Sequence, residues 1–177
     1  MAACEECGGH DLRRLPGTGG AVFECGLCGA LSGDDAAVSR VRDAREAAAR
    51  GMDSALYELV KALEGIRGVR VVRADGGSAT DGALPVVFVA VPHTAEGISD
   101  LERIAQSIVL ARPRLQFPWM LEVDVQQRLL FLLSPRLPAD GQRSRADDVK
   151  RAQQDLVTLA HALRRDRSLA WWSAPRR

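Results

Sequence analysis

The sequence predicts an α+β protein, in which a small cysteine-bearing N-terminal module precedes a larger domain of order α-β-β-α-β-β-α. Three observations carry that reading. Two Cys-x-x-Cys pairs lie close to the N-terminus; several later stretches place apolar residues at helical spacing; and short β-rich runs come in pairs bounded by turn-forming residues. At 177 residues, with 46% apolar and 27% charged side chains, the chain has the length for one ordinary domain plus a small one and the composition of a globular protein. The expected boundaries are a metal-binding module over 1–33, a linker helix over 34–51, the α+β domain over 52–172 and a tail over 173–177.

The first segment holds Cys4, Cys7, Cys25 and Cys28, the two pairs separated by seventeen residues that include Pro16-Gly17-Thr18-Gly19-Gly20. Those residues read as a turn between two short strands. Each Cys-x-x-Cys bends the backbone into a knuckle that aims two sulfurs at one centre, and Gly8 and Gly29, which follow the second cysteine of each pair, relieve the tight turn. Two knuckles complete a tetrahedron, and this spacing is that of four-cysteine zinc sites. The segments Cys4-Glu5-Glu6-Cys7-Gly8-Gly9 and Cys25-Gly26-Leu27-Cys28-Gly29 resemble the zinc ribbon family, over residues 4–31 only. The resemblance implies a rubredoxin-like fold and one structural zinc with all four positions taken. Iron of the rubredoxin type is the alternative, disfavoured because Phe23 is the only aromatic residue before Tyr57. His10 lies beside the first knuckle and reads as a surface residue.

From Asp34 the composition shifts to Ala, Arg and Asp, with acidic residues at the start, Arg50 at the end and Gly51 beyond, which predicts a capped and mostly solvated helix carrying a Glu46–Arg50 pair at i, i+4. Met52, Ala55, Leu56, Leu59, Val60 and Leu63 form the stripe of an amphipathic helix. Two β-rich runs follow, 69–74 and 86–91, joined by the turn chemistry that extends from Asp75 to Gly82. The second is apolar on both faces, as a central strand is. Ser99 and Glu102 read as a capping box ahead of a helix bearing Leu101, Ile104, Ala105, Ile108 and Val109, stopped by Pro113.

The runs 119–125 and 129–133 are close enough for a hairpin, completing a mainly antiparallel four-stranded sheet. A two-residue loop at Gln126-Gln127 would mix Glu122 and Asp124 into an apolar face. A three-residue loop pairs Val123 with Leu129, Leu121 with Phe131 and Trp119 with Leu133, and sets Asp124 across from Arg128. This register is preferred. It leaves Leu130 and Leu132 on the other face beside Met120, Glu122 and Asp124, where another element or another subunit should cover them. A last amphipathic helix starts near Ser144 and carries Val149, Ala152, Leu156, Leu159, Ala160 and Leu163. Trp171 and Trp172 near the end read as groups docked on the domain, with an exposed anchor for a partner as the alternative.

Charge and motifs bound the function. The longest apolar stretch, 86–91, is far short of the roughly 18 residues that span a bilayer, and the start lacks the basic flank and apolar stretch of a secretory signal. A cytoplasmic location without a membrane role is therefore expected. Net charge is +1, but the ends differ in sign: Glu5, Glu6, Asp11 and Glu24 outnumber Arg13 and Arg14 in the first segment, while from Arg143 onward basic residues outnumber acidic ones nine to four. Nucleic-acid affinity rests on phosphate neutralisation, so an acidic ribbon is a poor candidate for it, and any such contact would use Arg151, Arg164, Arg165 and Arg167. An enzyme would draw on the glycine-rich turn from Asp75 to Gly82, on His93, and on Glu122 and Asp124, which share a strand face at i, i+2. The turn precedes a strand and not a helix N-terminus, and no Ser or Cys is placed beside His93. The leading expectation is a non-catalytic, zinc-stabilised interaction protein that binds a protein partner or itself.

Overall fold

A computed structural model describes residues 3–125, 129–137 and 145–165. The chain is α+β and divides into two compact units, Met1–Gly51 and Met52–Arg177. Among the described residues, no helix is long and apolar enough to cross a membrane.

The first unit is a three-stranded antiparallel sheet followed by a helix. Its strands are β1 (Leu12–Arg14), β2 (Val22–Cys25) and β3 (Leu31–Gly33), in that spatial order. The sequence suggested two strands; the third, only three residues long, is too short to show periodicity. It pairs Leu31 with Glu24 and Gly33 with Val22. Gly33 has φ 127°, and a Cβ there would fall 1.9 Å from the carbonyl oxygen of Ala21, so only glycine lets the strand close on its neighbour. The helix α1 (Asp35–Ala49) begins at Asp34, whose carboxylate accepts from the N–H of Ala37 at 2.9 Å. Ala37 and Val38 pack on Val22, and these three residues, flanked by Leu15, Leu31 and Val41, are the unit's entire apolar cluster among the described residues.

The second unit runs α2 (Ser54–Glu64), β4 (Arg70–Asp75), β5 (Val86–Ala90), α3 (Ala95–Ala111), a 3₁₀ turn at Arg112–Arg114, β6 (Trp119–Val125), β7 (Leu129–Pro135) and α4 (Arg145–Arg165). The four strands form one antiparallel sheet in the order β4-β5-β7-β6, with the doubly apolar β5 in an interior position. Alternation along the strands separates two faces. Val87, Val89, Leu133 and Trp119 point to one face and join Leu59 and Leu63 of α2, Ile104 and Ile108 of α3, and Leu156 and Leu159 of α4 in one continuous core. All three helices therefore cover the same side of the sheet, a two-layer sandwich.

Two local expectations change. The hairpin does have a three-residue connection, but it falls at 126–128, one residue later than anticipated, so Val125 pairs with Leu129, Val123 with Phe131 and Leu121 with Leu133. Because the shift moves each partner by two, every side chain keeps its face, while Asp124 comes to lie opposite Leu130 in place of Arg128. Arg128 lies outside the described residues, as do Arg167, Trp171 and Trp172. The helix α3 also starts earlier than the Ser99–Glu102 box: Thr94 is its cap, accepting from the N–H of Gly97 at 3.3 Å. Gly97 allows this earlier turn, since a Cβ there would sit 1.9 Å from the carbonyl oxygen of Pro92.

Candidate metal centre

The two Cys-x-x-Cys segments adopt the same backbone knuckle. The carbonyl of Cys4 accepts from the N–H of Gly8 at 2.8 Å and the N–H of Cys4 donates to Gly9. The carbonyl of Cys25 likewise accepts from Gly29 at 2.8 Å, and its N–H donates to Ala30. Both turns close through a left-handed glycine, Gly8 at φ 72° and Gly29 at φ 74°. The first knuckle precedes β1 and the second follows β2; the pairing of Leu12 with Cys25 holds the two together. Cys4 and Cys25 are buried, Cys7 and Cys28 exposed, and the side chain of Leu27 reaches over Gly9 beside the sulfur of Cys7.

The four Sγ atoms lie within 4.8 Å of one another. Cys4 and Cys28 are 3.7 Å apart and Cys7 and Cys25 are 3.6 Å apart. A tetrahedral ion with metal–sulfur bonds of about 2.3 Å has sulfur–sulfur edges of about 3.8 Å, so the cluster already has the size of a tetrathiolate site. Its electrostatics say the same. The N–H groups of Cys28 and Leu27 point at the sulfur of Cys25 and bring its thiol down to about 7. The N–H of Ala30 acts in the same direction on Cys28, but the neighbouring sulfurs of Cys7, Cys25 and Cys4, with partial desolvation, outweigh it and push that thiol up to about 12. Cys7 is raised too, despite the N–H of Gly9. Four sulfurs this close cannot all ionise without a cation among them, and a divalent ion removes the conflict.

Such a site is closed. With four protein ligands no position is left for a substrate, which separates it from catalytic metal sites that keep one open. His10 is exposed and outside the sulfur cluster. Around the knuckles, Arg13 is held by Asp11 through two hydrogen bonds of 3.2 and 2.9 Å, the main reason its guanidinium is raised further above its ordinary range, and Arg45 of α1 pairs with Glu24 at 2.9 Å. One of the two ribbon arginines is thus already occupied.

The other candidate residues do not converge. The turn from Asp75 to Gly82 is satisfied internally: Asp75 accepts from the N–H of Gly77, the hydroxyl of Ser78 donates to Asp81, and Ser78 exchanges backbone hydrogen bonds with Ala83. It lies at one end of β5 and the exposed His93 beyond the other, with about 16 Å of strand between them. Glu122 and Asp124 are on β6, at the opposite edge of the sheet from β4. On α4, Arg151 and Arg165 are exposed, but Arg164 forms an ion pair with Glu58 of α2 and ties two helices together.

The sequence reading missed Asp155. It is 1% exposed and accepts from the N–H of Gln116, the N–H of Phe117 and the indole N–H of Trp119. The signal was available: position 155 falls on the buried stripe of α4, where a carboxylate needs buried donors. Comparisons with protein families, with curated proteins and with solved structures each find no match to this chain.

Proposed function

We propose that the protein is a non-catalytic, zinc-stabilised interaction module, in which Cys4, Cys7, Cys25 and Cys28 hold one structural zinc and the larger unit presents a binding surface. Sulfur spacing supports the metal, and all-thiolate tetrahedral coordination suits zinc. The role of the ion is structural because the first unit has too little apolar core to hold itself together: the cluster of Val22, Ala37 and Val38, with the buried Ala47 and the sulfur ligands Cys4 and Cys25, cannot offset the ordering of its loops and short strands.

The observation that carries the interaction reading is the side of the four-stranded sheet on which, among the described residues of the second unit, no helix packs. All three helices pack on one face, and Phe88, Leu130 and Leu132 lie half-buried on the other. An apolar centre on an otherwise open sheet marks a docking surface. The arginines of α4 give no comparable support to nucleic-acid binding, since Arg164 is engaged with Glu58.

Elemental analysis of purified protein should find one zinc per chain; iron, or a content near zero, would overturn the metal assignment. Tagged full-length protein should associate with itself or with another protein through the open face. A Leu132→Asp variant with an unchanged circular dichroism spectrum should lose that association. If wild type and variant both associate with nothing, the interaction reading fails.

A further inference from the structure

On the open face, where among the described residues of the second unit no helix packs, paired residues run across all four strands. In one row Arg73 of β4 pairs with Phe88 of β5, Phe88 with Leu132 of β7, and Leu132 with Glu122 of β6. Further along β4, Arg70 pairs with Ala90 of β5 on the same face. This row thus begins with an arginine at one sheet edge, crosses apolar side chains and ends with a carboxylate at the other edge. Arg70, Arg73 and Glu122 are exposed, and among the described residues none of the three has an ion-pair partner. The ends of a row are three strand spacings apart, about 14 Å, with apolar side chains between them, so they cannot pair within one chain.

This pattern is complementary to itself under one symmetry operation. If two such faces meet about a two-fold axis parallel to the strands, β4 of one copy lies over β6 of the other and β5 lies over β7. Row then falls on row, reversed. Arg73 meets Glu122 of the second copy and Phe88 meets Leu132, each contact occurring twice. Packed sheets stand about 10 Å apart, a gap that an arginine and a carboxylate extended toward each other can bridge. A two-fold axis across the strands would instead stack arginine on arginine and carboxylate on carboxylate, so charge selects between the two arrangements.

We infer that the open face of the β4-β5-β7-β6 sheet is a self-association surface, occupied by the same face of a second copy of this chain in a two-fold dimer. The inference deepens the interaction reading above and rests on it. A four-stranded face about 19 Å wide and about 20 Å long covers about 380 Å² per copy, below the roughly 800 Å² per partner of stable interfaces, so the dimer is a weak one that should dissociate in the micromolar range.

Sedimentation equilibrium of the full-length, zinc-loaded protein tests this. Wild type should show a reversible monomer–dimer equilibrium that weakens with salt. Arg73→Glu and Glu122→Arg each place like charges in contact twice per dimer, and each should raise the dissociation constant at least about tenfold. The double variant, Arg73→Glu with Glu122→Arg, restores both contacts with signs exchanged and should return to within about threefold of wild type. Both positions are exposed, so the fold is not at stake.

A wild type that remains monomeric to about 200 µM overturns the inference. So does a dimer that neither single variant weakens, or one that the double variant fails to restore. If wild type is monomeric and a Trp171→Ser, Trp172→Ser chain dimerises, the face belongs to the chain's own C-terminal segment and the inference is likewise overturned. A monomer that captures a different protein through Leu132 leaves the interaction reading standing while removing this one.

Discussion

The indole N–H of Trp119 donates to the carboxylate of Asp155 at 3.1 Å, joining the first residue of β6 to the middle of α4 inside the core. The same carboxylate accepts from the backbone N–H groups of Gln116 at 2.8 Å and Phe117 at 3.1 Å, so three donors in the approach to β6 converge on one buried acceptor. Replacing Asp155 with alanine leaves three donors without a partner, and each such orphan costs about 1–3 kcal/mol. Asp155→Ala should therefore destabilise the second unit by about 3 kcal/mol or more in urea unfolding, and Asp155→Asn, which keeps one acceptor oxygen, by roughly half as much. A loss below about 1 kcal/mol for the alanine variant would show that the carboxylate does not organise this corner.

Metal removal should act on the two units unequally. Chelation under reducing conditions removes the constraint that sets the knuckles, and with an apolar cluster of only Val22, Ala37 and Val38 the first unit should lose its strands. The 15-residue helix α1 should fray with them, because a helix of that length is marginal once its apolar face has nothing to rest on. The second unit has its own core and should keep dispersed amide resonances at Leu59, Ile104 and Leu156. Cys25→Ser should reproduce the chelated spectrum. Collapse of both sets of resonances together would contradict an independent second core.

Two glycines of the first unit should respond differently to substitution. Gly8 needs a left-handed φ but has open space where a Cβ would go, so Gly8→Asn should cost within about 1 kcal/mol. Gly33 combines φ 127° with a backbone oxygen 1.9 Å from the added carbon, and Gly33→Ala should cost at least about 2 kcal/mol. Because folding and metal binding are coupled here, the second change should lower zinc affinity about thirtyfold in a chelator competition, against fivefold or less for the first. Equal losses would show that the β2–β3 closure is not what holds the second knuckle.

The sequence showed most of this architecture because its strongest signals are local. The stripe from Met52 to Leu63 marks α2, the apolar run of β5 marks an interior strand, and paired Cys-x-x-Cys segments mark the sulfur cluster, each within a few residues of chain. What escaped depended on distant partners. β3 is defined by its pairing with β2. The hairpin register was wrong by one loop position because alternation fixes faces and not pairs: Leu121 stays on the core side opposite either Phe131 or Leu133. Asp155 looked like one more polar helix residue until the N–H groups of 116 and 117, nearly forty positions away, were folded against it. Glu122 and Asp124 lie on the face expected from the alternation, but the charges that give that face a pattern, Arg70 and Arg73, sit three strands away and are visible only once the strand order is known.

The start of α3 separates the sequence signal from the structure in a single experiment. Ser99 and Glu102 have capping-box spacing, yet the helix begins at Ala95 and the hydroxyl oxygen of Thr94 takes the N–H of Gly97. Thr94→Ala should lower stability by about 0.5–1 kcal/mol, whereas Ser99→Ala, a change to a better helix former within the helix, should be neutral or slightly stabilising. Glu96 supplies a second readout. Its carboxyl is held below the ordinary value of 4.5 by its own backbone N–H and then by the Thr94 side chain. A depressed carboxyl stabilises the folded form above its unfolded value, and that contribution disappears as pH falls through the lower folded value. Thr94→Ala should therefore move the Glu96 titration, followed by its side-chain carbon resonance, upward toward 4.5, while Ser99→Ala leaves it in place. The reverse outcome, with Ser99→Ala destabilising and Thr94→Ala silent, would put the helix start back at the capping box.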